Sequence, residues 1–411
     1  MRRALTALAL LLFLAVPARA DLNAGLEAYG RGDFAQAMKD LTPLAQAGDP
    51  QAQGLIGNMY YAGQGAPKDL AQAAAWFRKA AEQGLATAQG ILGVMYFHGQ
   101  GVPQDHAQAL KWYRLAAEQG LAEAQFSLGG MYEKGQGVPA DPGQAAKWYR
   151  LAAEQDLADA QVNLGGLYHQ GQGVVKDYTQ AVKWFRRAAE QNVAQAQYNL
   201  GMMYGQGQGV VQDAAEAEHW FRKAAQQGDR RAMFAVGNLH YAGQGIPRDL
   251  GQARQWFLKA AQLGDVRAQY NLGVIHQQGQ GVAADPAQAM KWYQMAAAQG
   301  QAEAQYNLGV AHYTGQGLPQ DHQQATRWFR LAAGQGYPPA QYYLGDMYAQ
   351  GLGVPRDDQQ AYMWLSLAAS GLAGPGQEKA LQKLNGIASR LSPSALGEAR
   401  EWARQWKPSR P

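Results

Sequence analysis

Residues 196–228 read AQYNLGMMYGQGQGVVQDAAEAEHWFRKAAQQG, and this stretch contains two helical patterns separated by glycines. Leu200 and Met203 belong to an apolar stripe whose spacing places side chains on one face of a helix. Gly207 then supplies a residue that readily adopts the left-handed conformation common at helix ends. A second apolar stripe, centred on Trp220, follows after a short connection. The stretch therefore predicts a pair of helices joined by a tight turn.

The same pattern returns along the chain with a fixed period of 36 residues. The tripeptide GQG occurs at residues 63–65, 99–101, 135–137, 171–173, 207–209, 243–245, 279–281 and 315–317, and GLG follows at 351–353. A period of this length is typical of repeat proteins, which grow in one dimension and need no ever-larger core. The 411 residues, 47% of them hydrophobic, are therefore predicted to form an ordered array of helix pairs.

An aspartate precedes the second helix of every copy, and a tryptophan follows it seven residues later. Because aspartate accepts hydrogen bonds from the free N–H groups of a first helical turn, these aspartates are predicted N-caps. They are Asp69, Asp105, Asp141, Asp177, Asp213, Asp249, Asp285, Asp321 and Asp357. The tryptophan lies on the apolar stripe, so we interpret it as a buried structural residue and not as a platform for a ligand. The tryptophans are Trp76, Trp112, Trp148, Trp184, Trp220, Trp256, Trp292, Trp328 and Trp364.

The two ends of the chain depart from this pattern. Residues 21–50 contain a shorter unit, which we interpret as an N-terminal capping unit of the tetratricopeptide kind. The nine full repeats are assigned to residues 51–374. Residues 375–411 predict two C-terminal capping helices, at 376–390 and 394–406, because the terminal units of a repeat array turn a polar face to solvent.

Residues 1–20 read MRRALTALALLLFLAVPARA and have the features of a cleavable secretory signal. Two arginines precede an apolar run shorter than the ~20 residues that a membrane span needs, and Ala18-Arg19-Ala20 fits a small-x-small cleavage site. Cleavage before Asp21 removes three arginines and no acidic residue, which leaves 33 Lys and Arg against 32 Asp and Glu. We therefore expect a periplasmic or secreted protein whose charge does not favour binding to nucleic acid.

The recurring motif A-x-A-Q-x-N-L-G-x-M-Y-x-x-G-Q-G-V-x-x-D-x-x-Q-A-x-x-W-[FY]-R-x-A-A-x-Q-G resembles the Sel-one-like repeats, which are 36-residue relatives of tetratricopeptide repeats. The resemblance implies an all-α fold, a right-handed α-solenoid or superhelix of antiparallel helix pairs with a concave surface. It also implies a role as an adaptor or scaffold for protein complexes. Exported bacterial members are similar to regulators of sensor proteins, exopolysaccharide-secretion scaffolds and host-interaction factors, and a fold alone does not choose among these.

The sequence contains no familiar catalytic motif. One branch of the repeat family is linked to β-lactam hydrolysis, but that branch is rich in cysteine and this chain has none. None of the seven serines has lysine three positions later, and G-x-S-x-G and H-E-x-x-H do not occur. The GQG tripeptides follow a helix, whereas a phosphate-binding loop follows a strand. We therefore predict a protein that is not an enzyme and has no catalytic residue and no cofactor.

Three consecutive repeats replace a tyrosine by histidine, at His240, His276 and His312. Equivalent helices of neighbouring repeats lie about two helix-packing distances apart, each ~8–10 Å, whereas zinc ligands lie ~2 Å from one ion. We therefore predict half-buried rings at these positions and no metal site.

Two columns of side chains on the first helices are candidates for partner binding on the concave face. The first column points about 200° away from the alanine that begins the pattern. It is small in early repeats and aromatic in late ones: Gly54, Gly90, Phe126, Val162, Tyr198, Phe234, Tyr270, Tyr306 and Tyr342. The second column lies four residues further on and is more variable. The candidate partner-binding residues are Phe126, Tyr198, Phe234, Tyr270, Tyr306, Tyr342, Met202 and Asn238. Whether the rings face a groove or wedge between repeats stays open.

Two functions from different classes remain. The first is an exported, non-catalytic scaffold or adaptor that binds a partner protein or peptide on the concave surface of the solenoid. The alternative is a periplasmic glycan-binding module for peptidoglycan or exopolysaccharide, and a hydrolase of the β-lactamase type is third. We expect no nucleic-acid partner and no integral membrane segment after signal cleavage.

Overall fold

A computed structural model describes residues 22–409 of the chain. Within these residues every regular element is an α-helix, and there are 22 of them. The helices form two compact units, which divide between Val193 and Ala194. The predicted signal peptide, residues 1–20, lies outside the described residues.

The helix bounds follow the 36-residue period through both units. Unit one, which ends at Val193, contains α1 (Leu22–Gly30), α2 (Phe34–Gln46), α3 (Pro50–Ala62), α4 (Leu70–Glu82), α5 (Ala86–His98), α6 (His106–Glu118), α7 (Ala122–Lys134), α8 (Pro142–Glu154), α9 (Ala158–Gln170) and α10 (Tyr178–Glu190). Unit two, which starts at Ala194, contains α11 (Ala194–Gln206), α12 (Ala214–Gln226), α13 (Arg230–Ala242), α14 (Leu250–Gln262), α15 (Val266–Gln278), α16 (Pro286–Ala298), α17 (Ala302–Thr314), α18 (His322–Gly334), α19 (Pro338–Gln350), α20 (Asp358–Gly371), α21 (Gly374–Ala388) and α22 (Pro393–Gln405).

Each repeat consists of an A helix, odd-numbered from α3 to α19, and the B helix that follows it, even-numbered from α4 to α20. Within each unit, consecutive helices pack against one another, and the short connections make neighbouring helices antiparallel. The prediction of an all-α solenoid of 36-residue helix pairs is therefore confirmed in each unit.

Glycine and aspartate set the helix ends, as predicted. Gly99 has a φ of 69°, and its backbone N–H donates a hydrogen bond to the carbonyl oxygen of Met95 at the end of α5. The carboxylate of Asp105 accepts hydrogen bonds from the backbone N–H groups of Ala107 and Gln108, at 2.9 and 3.0 Å, at the start of α6. All nine predicted aspartates act in this way. The GQG tripeptides are therefore turn elements between helices.

A glycine inside the A helix lies against an aromatic ring of the B helix in the eight pairs from α3–α4 to α17–α18. The glycine follows a buried aliphatic residue, and the ring belongs to the residue after the repeat's tryptophan. A Cβ atom placed on Gly57 would lie 2.9 Å from the ring of Phe77, and one on Gly201 would lie 2.7 Å from the ring of Phe221. Because real Cβ atoms do not approach a ring so closely, only glycine allows this contact.

The ring that lies on the glycine is the most deeply buried aromatic residue of the repeat. Phe77 and Tyr149 are each 1% exposed, and Phe257 is fully buried. Trp112, Trp184, Trp220 and Trp364 are also buried, but the other five repeat tryptophans are only partly buried. The expectation of a buried tryptophan in every copy is therefore wrong for those five. These side chains pack at the edge of a core, where lysines such as Lys79 lie over the indole ring.

A buried glutamine of the A helix forms hydrogen bonds to the B helix before it and to the end of the B helix after it. These bonds were not predicted from the sequence. Nε2 of Gln161 donates to the carbonyl oxygen of Ala153 in the preceding B helix at 3.1 Å, and its Oε1 accepts from Nε2 of Gln191 at 2.9 Å. The same pair of bonds is made by Gln53, Gln89, Gln125, Gln269 and Gln305. The buried amide is therefore satisfied on both sides.

The helices after the ninth repeat lie close to their predicted positions. α21 begins two residues before the predicted start, and Ser392 caps α22 by accepting a hydrogen bond from the N–H of Ala395 at 3.3 Å. Gln377 of α21 donates to the carbonyl oxygen of Ala369 at 2.9 Å, as the repeat glutamines do in their A helices. α21 therefore occupies the place of one more A helix.

Two adjacent glycines of α9 provide a test of the glycine–ring contact. A Cβ on Gly165 would lie 2.7 Å from the ring of Phe185, whereas a Cβ on Gly166 meets nothing within 4 Å. Overpacking a core costs about 1–3 kcal/mol, and replacing a helical glycine by alanine returns up to about 1 kcal/mol. We expect Gly165→Ala to lower the thermal unfolding midpoint and Gly166→Ala to leave it unchanged or raise it. Equal midpoints for the two variants would contradict the contact.

Candidate functional site

The eight predicted partner-binding side chains all lie on A helices and are all half-buried. Five of the aromatic members contact a ring of the B helix in their own repeat. The ring-centroid distances are 5.6 Å for Phe126–Tyr149, 5.6 Å for Tyr198–Phe221, 5.7 Å for Phe234–Phe257, 5.8 Å for Tyr270–Tyr293 and 5.9 Å for Tyr306–Phe329, with interplanar angles of 40–46°. The partner rings are those that lie on the A-helix glycines. Each candidate ring therefore rests on a supported ring, in one repeated geometry.

Arginines from the following repeat cover two of these rings. The guanidinium carbon of Arg231 lies 4.6 Å from the ring centroid of Tyr198, and that of Arg267 lies 4.1 Å from the ring centroid of Phe234. Both distances are within the range of cation–π attraction. The arginine was not predicted. The signal that could have found it is the spacing of 33 residues between ring and arginine in both pairs.

Each of these arginines is held by the aspartate that caps its own helix. Arg231 lies 2.6 Å from Oδ2 of Asp229 and also donates to Oε1 of Gln195 at 2.8 Å. Arg267 pairs with Asp265 at 2.8 Å. Burial by itself raises the pKa of Asp229, but hydrogen bonds and charge from Arg231, together with backbone N–H groups, hold it below 3.8 overall. The carboxylate thus stays charged and fixes the arginine over the tyrosine ring.

The last repeats surround the column with further rings and one ion pair. Tyr306 lies 5.4 Å from Tyr337 and 5.8 Å from Tyr343, measured between ring centroids, and burial raises its pKa. Lys383 of α21 lies 5.4 Å from the ring centroid of Tyr342 and pairs with Asp346. Asp346 belongs to the more variable column and is only 7% exposed. At this end, α21 therefore covers part of the column.

Met202 and Asn238 of the variable column make less specific contacts. Met202 packs on the core that contains Phe221 and Val236. The side-chain oxygen of Asn238 accepts a long hydrogen bond, 3.5 Å, from Asn271 of the next A helix. The structure therefore brings the column residues to one face of the A helices in each unit and gives the rings more defined partners than Met202 or Asn238.

The three histidines have separate environments. His240 lies 2.9 Å from Glu218 and 3.3 Å from Arg222, and Nδ1 of His312 lies 3.3 Å from the carbonyl oxygen of Pro319. Burial, with a smaller effect from Arg254, lowers the pKa of His276 below 6.5. Among residues 22–409, no group of three or more His, Asp or Glu side chains comes close enough together to hold a metal ion.

A family model described as Sel1 repeat matches nine consecutive segments of the chain. They are residues 50–85, 86–121, 122–157, 158–193, 194–229, 230–265, 266–301, 302–337 and 338–371. The chain belongs to the Sel1 repeat family. Proteins of the Sel1 repeat family are generally scaffolds for protein interactions and bind protein partners.

Two solved Sel1-type structures are similar to most of the chain. A protective antigen present in uropathogenic Escherichia coli strains, with an SLR fold, is 34% identical, has a TM-score of 0.63, and the match covers 94% of this chain and 92% of the antigen. A Sel1 repeat protein from Oxalobacter formigenes is 35% identical, has a TM-score of 0.64, and the match covers 75% of this chain and 89% of that protein. No curated protein matches the chain. In the described part of the chain, none of the helices has the length and apolar character of a membrane span.

The Asp229–Arg231 pair predicts a pH-dependent contribution to stability. A carboxyl group whose pKa is lower in the folded protein stabilises the fold above its unfolded pKa and loses that effect as the pH falls through the folded value. Asp229→Asn keeps an N-cap side chain but removes the charge. We expect a lower free energy of unfolding at pH 7, by up to about 1 kcal/mol for a partly exposed pair, and a difference from wild type that shrinks as the pH falls below 3.8.

Arg231→Gln is the matched control for this measurement. It removes the cation, so Asp229→Asn introduced into the Arg231→Gln background should have a much smaller effect at pH 7. An Asp229→Asn effect that is unchanged in that background would show that the pair does not supply the stabilisation.

Proposed function

We propose that the chain is an exported, non-catalytic scaffold that binds a partner protein or peptide through the A-helix face. The observation that supports this most directly is the row of half-exposed rings in unit two, from Tyr198 to Tyr306, each resting on a B-helix ring. Rings fixed in this way lose little conformational freedom when a partner covers them. Aromatic residues are also the commonest anchors of protein interfaces.

Charged groups border the same rings and support recognition of one partner over another. Arg231 and Arg267 lie over Tyr198 and Phe234. Burial raises the pKa of Tyr270, and the negative charge of Glu303 raises it further. An apolar centre with a charged rim is the usual composition of a specific protein interface. The rim supplies electrostatic complementarity, which favours the correct partner and suppresses others.

The similar Escherichia coli structure supports the export part of the proposal, because that protein is described as a protective antigen. The pattern of a secretory signal in residues 1–20 of this chain is an independent argument for export. We therefore propose a periplasmic or secreted location for this chain.

The partner-binding proposal is tested by capture from a periplasmic extract with the purified protein. We expect one protein to be retained saturably, with Tyr270→Ala weakening binding about tenfold or more, the effect of losing an aromatic hot spot of ~1.4 kcal/mol or above. Tyr178→Ala is the control, since it removes a tyrosine from a B helix, and it should leave the dissociation constant unchanged. Retention of cell-wall glycan alone, lost in Tyr270→Ala and Tyr306→Ala, would favour the glycan-binding alternative and contradict the scaffold.

The export proposal has a separate test. The mass of the intact protein recovered from the periplasmic fraction should correspond to a chain that begins at Asp21. A variant with Ala18 and Ala20 changed to arginine should keep its signal and remain in the membrane fraction. A wild-type protein recovered from the cytoplasm with residues 1–20 intact would contradict export.

A further inference from the structure

Unit one has an open groove along its A helices at the positions where later repeats carry rings. Three cavities of about 230, 330 and 430 Å³ lie along this face. The first and second cavities share Thr87 and Ile91 in their walls, and the second and third share Tyr113 and Ser127. They therefore form one continuous depression, which we call the unit-one groove.

Two glycines create the first part of this groove. Gly54 and Gly90 occupy the column in which Phe126, Tyr198 and the later rings lie. The B-helix rings below them, Phe77 and Tyr113, line the same cavities as the glycines. These are the repeat equivalents of Tyr149, on which the ring of Phe126 rests at 5.6 Å. Where the column has no ring of its own, the supporting ring is left facing the groove.

Each open position has the same set of walls and is called a socket below. Socket one consists of Gly54, Phe77 and Leu85, and socket two consists of Gly90, Tyr113 and Leu121.

The leucine of each socket leans towards its glycine and can move aside. A Cβ on Gly90 would lie 2.9 Å from Cδ2 of Leu121, which is the tip of a flexible side chain. In the next repeat, the corresponding Leu157 and the ring of Phe126 pack on the same core. The leucine is therefore compatible with a ring in the socket.

The first two cavities of the groove are mainly apolar; Glu123 borders socket two, and Glu133 and Lys134 line the third cavity. Neither α3 nor α5 contains Asp, Glu, Lys or Arg, and Val94 of α5 exposes 36% of its surface at the edge of socket two. The matching face of unit two carries Arg231 and Arg267. Because a charged side chain placed on an apolar surface loses hydration without compensation, the two sockets favour uncharged side chains.

We propose that the unit-one groove binds a peptide segment of a partner protein that places one aromatic side chain in each socket and carries no charged residue between them. The expected geometry is the one that the chain itself uses five times, with ring centroids 5.6–5.9 Å apart and tilted by 40–46°. This inference rests on the proposed function as a protein-binding scaffold and specifies the chemistry of one binding site. Offset or tilted ring pairs of this kind contribute beyond the area that they bury.

The test uses a library of random 14-residue peptides selected against the purified protein. Enriched peptides should contain two aromatic residues separated by uncharged ones. Gly90→Phe fills socket two with a ring from the chain itself, as Phe126 does in the next repeat. It should weaken binding of an enriched peptide at least tenfold in isothermal titration, while the double variant Gly54→Phe/Gly90→Phe should abolish binding.

Controls separate blocking of the socket from damage to the fold. Replacing a helical glycine removes its propensity cost, so the unfolding midpoint of Gly90→Phe should equal or exceed that of the wild type. Ala75→Phe adds the same ring at an exposed position of α4 and should leave binding unchanged. Val94→Lys, which puts a charge at the groove edge without touching the core, should weaken binding in the same way as Gly90→Phe.

The inference is overturned if no aromatic peptides are enriched, or if an enriched peptide binds wild type and the double variant equally. Failure of the wider proposal gives a different result. A protein captured from the periplasm that is lost in Tyr270→Ala but retained by Gly54→Phe/Gly90→Phe supports the scaffold and rejects the groove. Loss of the captured protein in the double variant, with Ala75→Phe unaffected, supports both.

Discussion

The contact between an A-helix glycine and a B-helix ring is the constraint on which the first eight repeats depend. The ring needs the absence of a Cβ, as at Gly57 beneath Phe77, so the distance between the two helix backbones is fixed by that one contact. Dense packing makes such a contact intolerant of even one added methyl group. The other face of the B-helix ring remains available for contact. Where the first-column residue of the A helix is aromatic, as at Phe126 and Tyr198, its ring packs on this face. The same buried contact therefore links the packing of the helix pair to the exposed face of its A helix.

Much of the fold could be predicted from the sequence because its signals are local. Gly99 and Asp105 lie directly at the helix ends that they determine, and the 36-residue spacing repeats those signals nine times. The glutamine bonds could not be predicted in this way, since Gln161 reaches a carbonyl eight residues earlier and an amide thirty residues later. The rotation of the B helix about its axis also decides which of two adjacent aromatic residues is buried more deeply. From the sequence we expected this residue to be the tryptophan, whereas the residue after it is the more deeply buried.

The sequence predicted which candidate residues share one face of the A helices, but not which side chains surround them. Period and helix geometry placed Phe126, Tyr198 and the other rings on one face, and the structure places them there. Their partners come from other helices: a B-helix ring below and, for Tyr198 and Phe234, an arginine from the next repeat above. The two units therefore present different chemistry on the same backbone. Rings covered by arginines lie in unit two, and a groove with two uncharged, open ring positions lies in unit one.

The glutamine bonds also bear on how an array of this kind changes length. In a repeat that carries both glutamines, the first donates to the preceding B helix, and the second, thirty residues later in the same repeat, pairs with the first. A whole repeat can therefore be duplicated or lost without leaving an amide unmatched. In the sixth repeat both glutamines are replaced, by Met233 and Leu263. Neither position of that repeat therefore has an amide that needs the other as its partner. Because the two glutamines of a pair belong to the same repeat, a change of one of them can be compensated within that repeat, without a change in its neighbours.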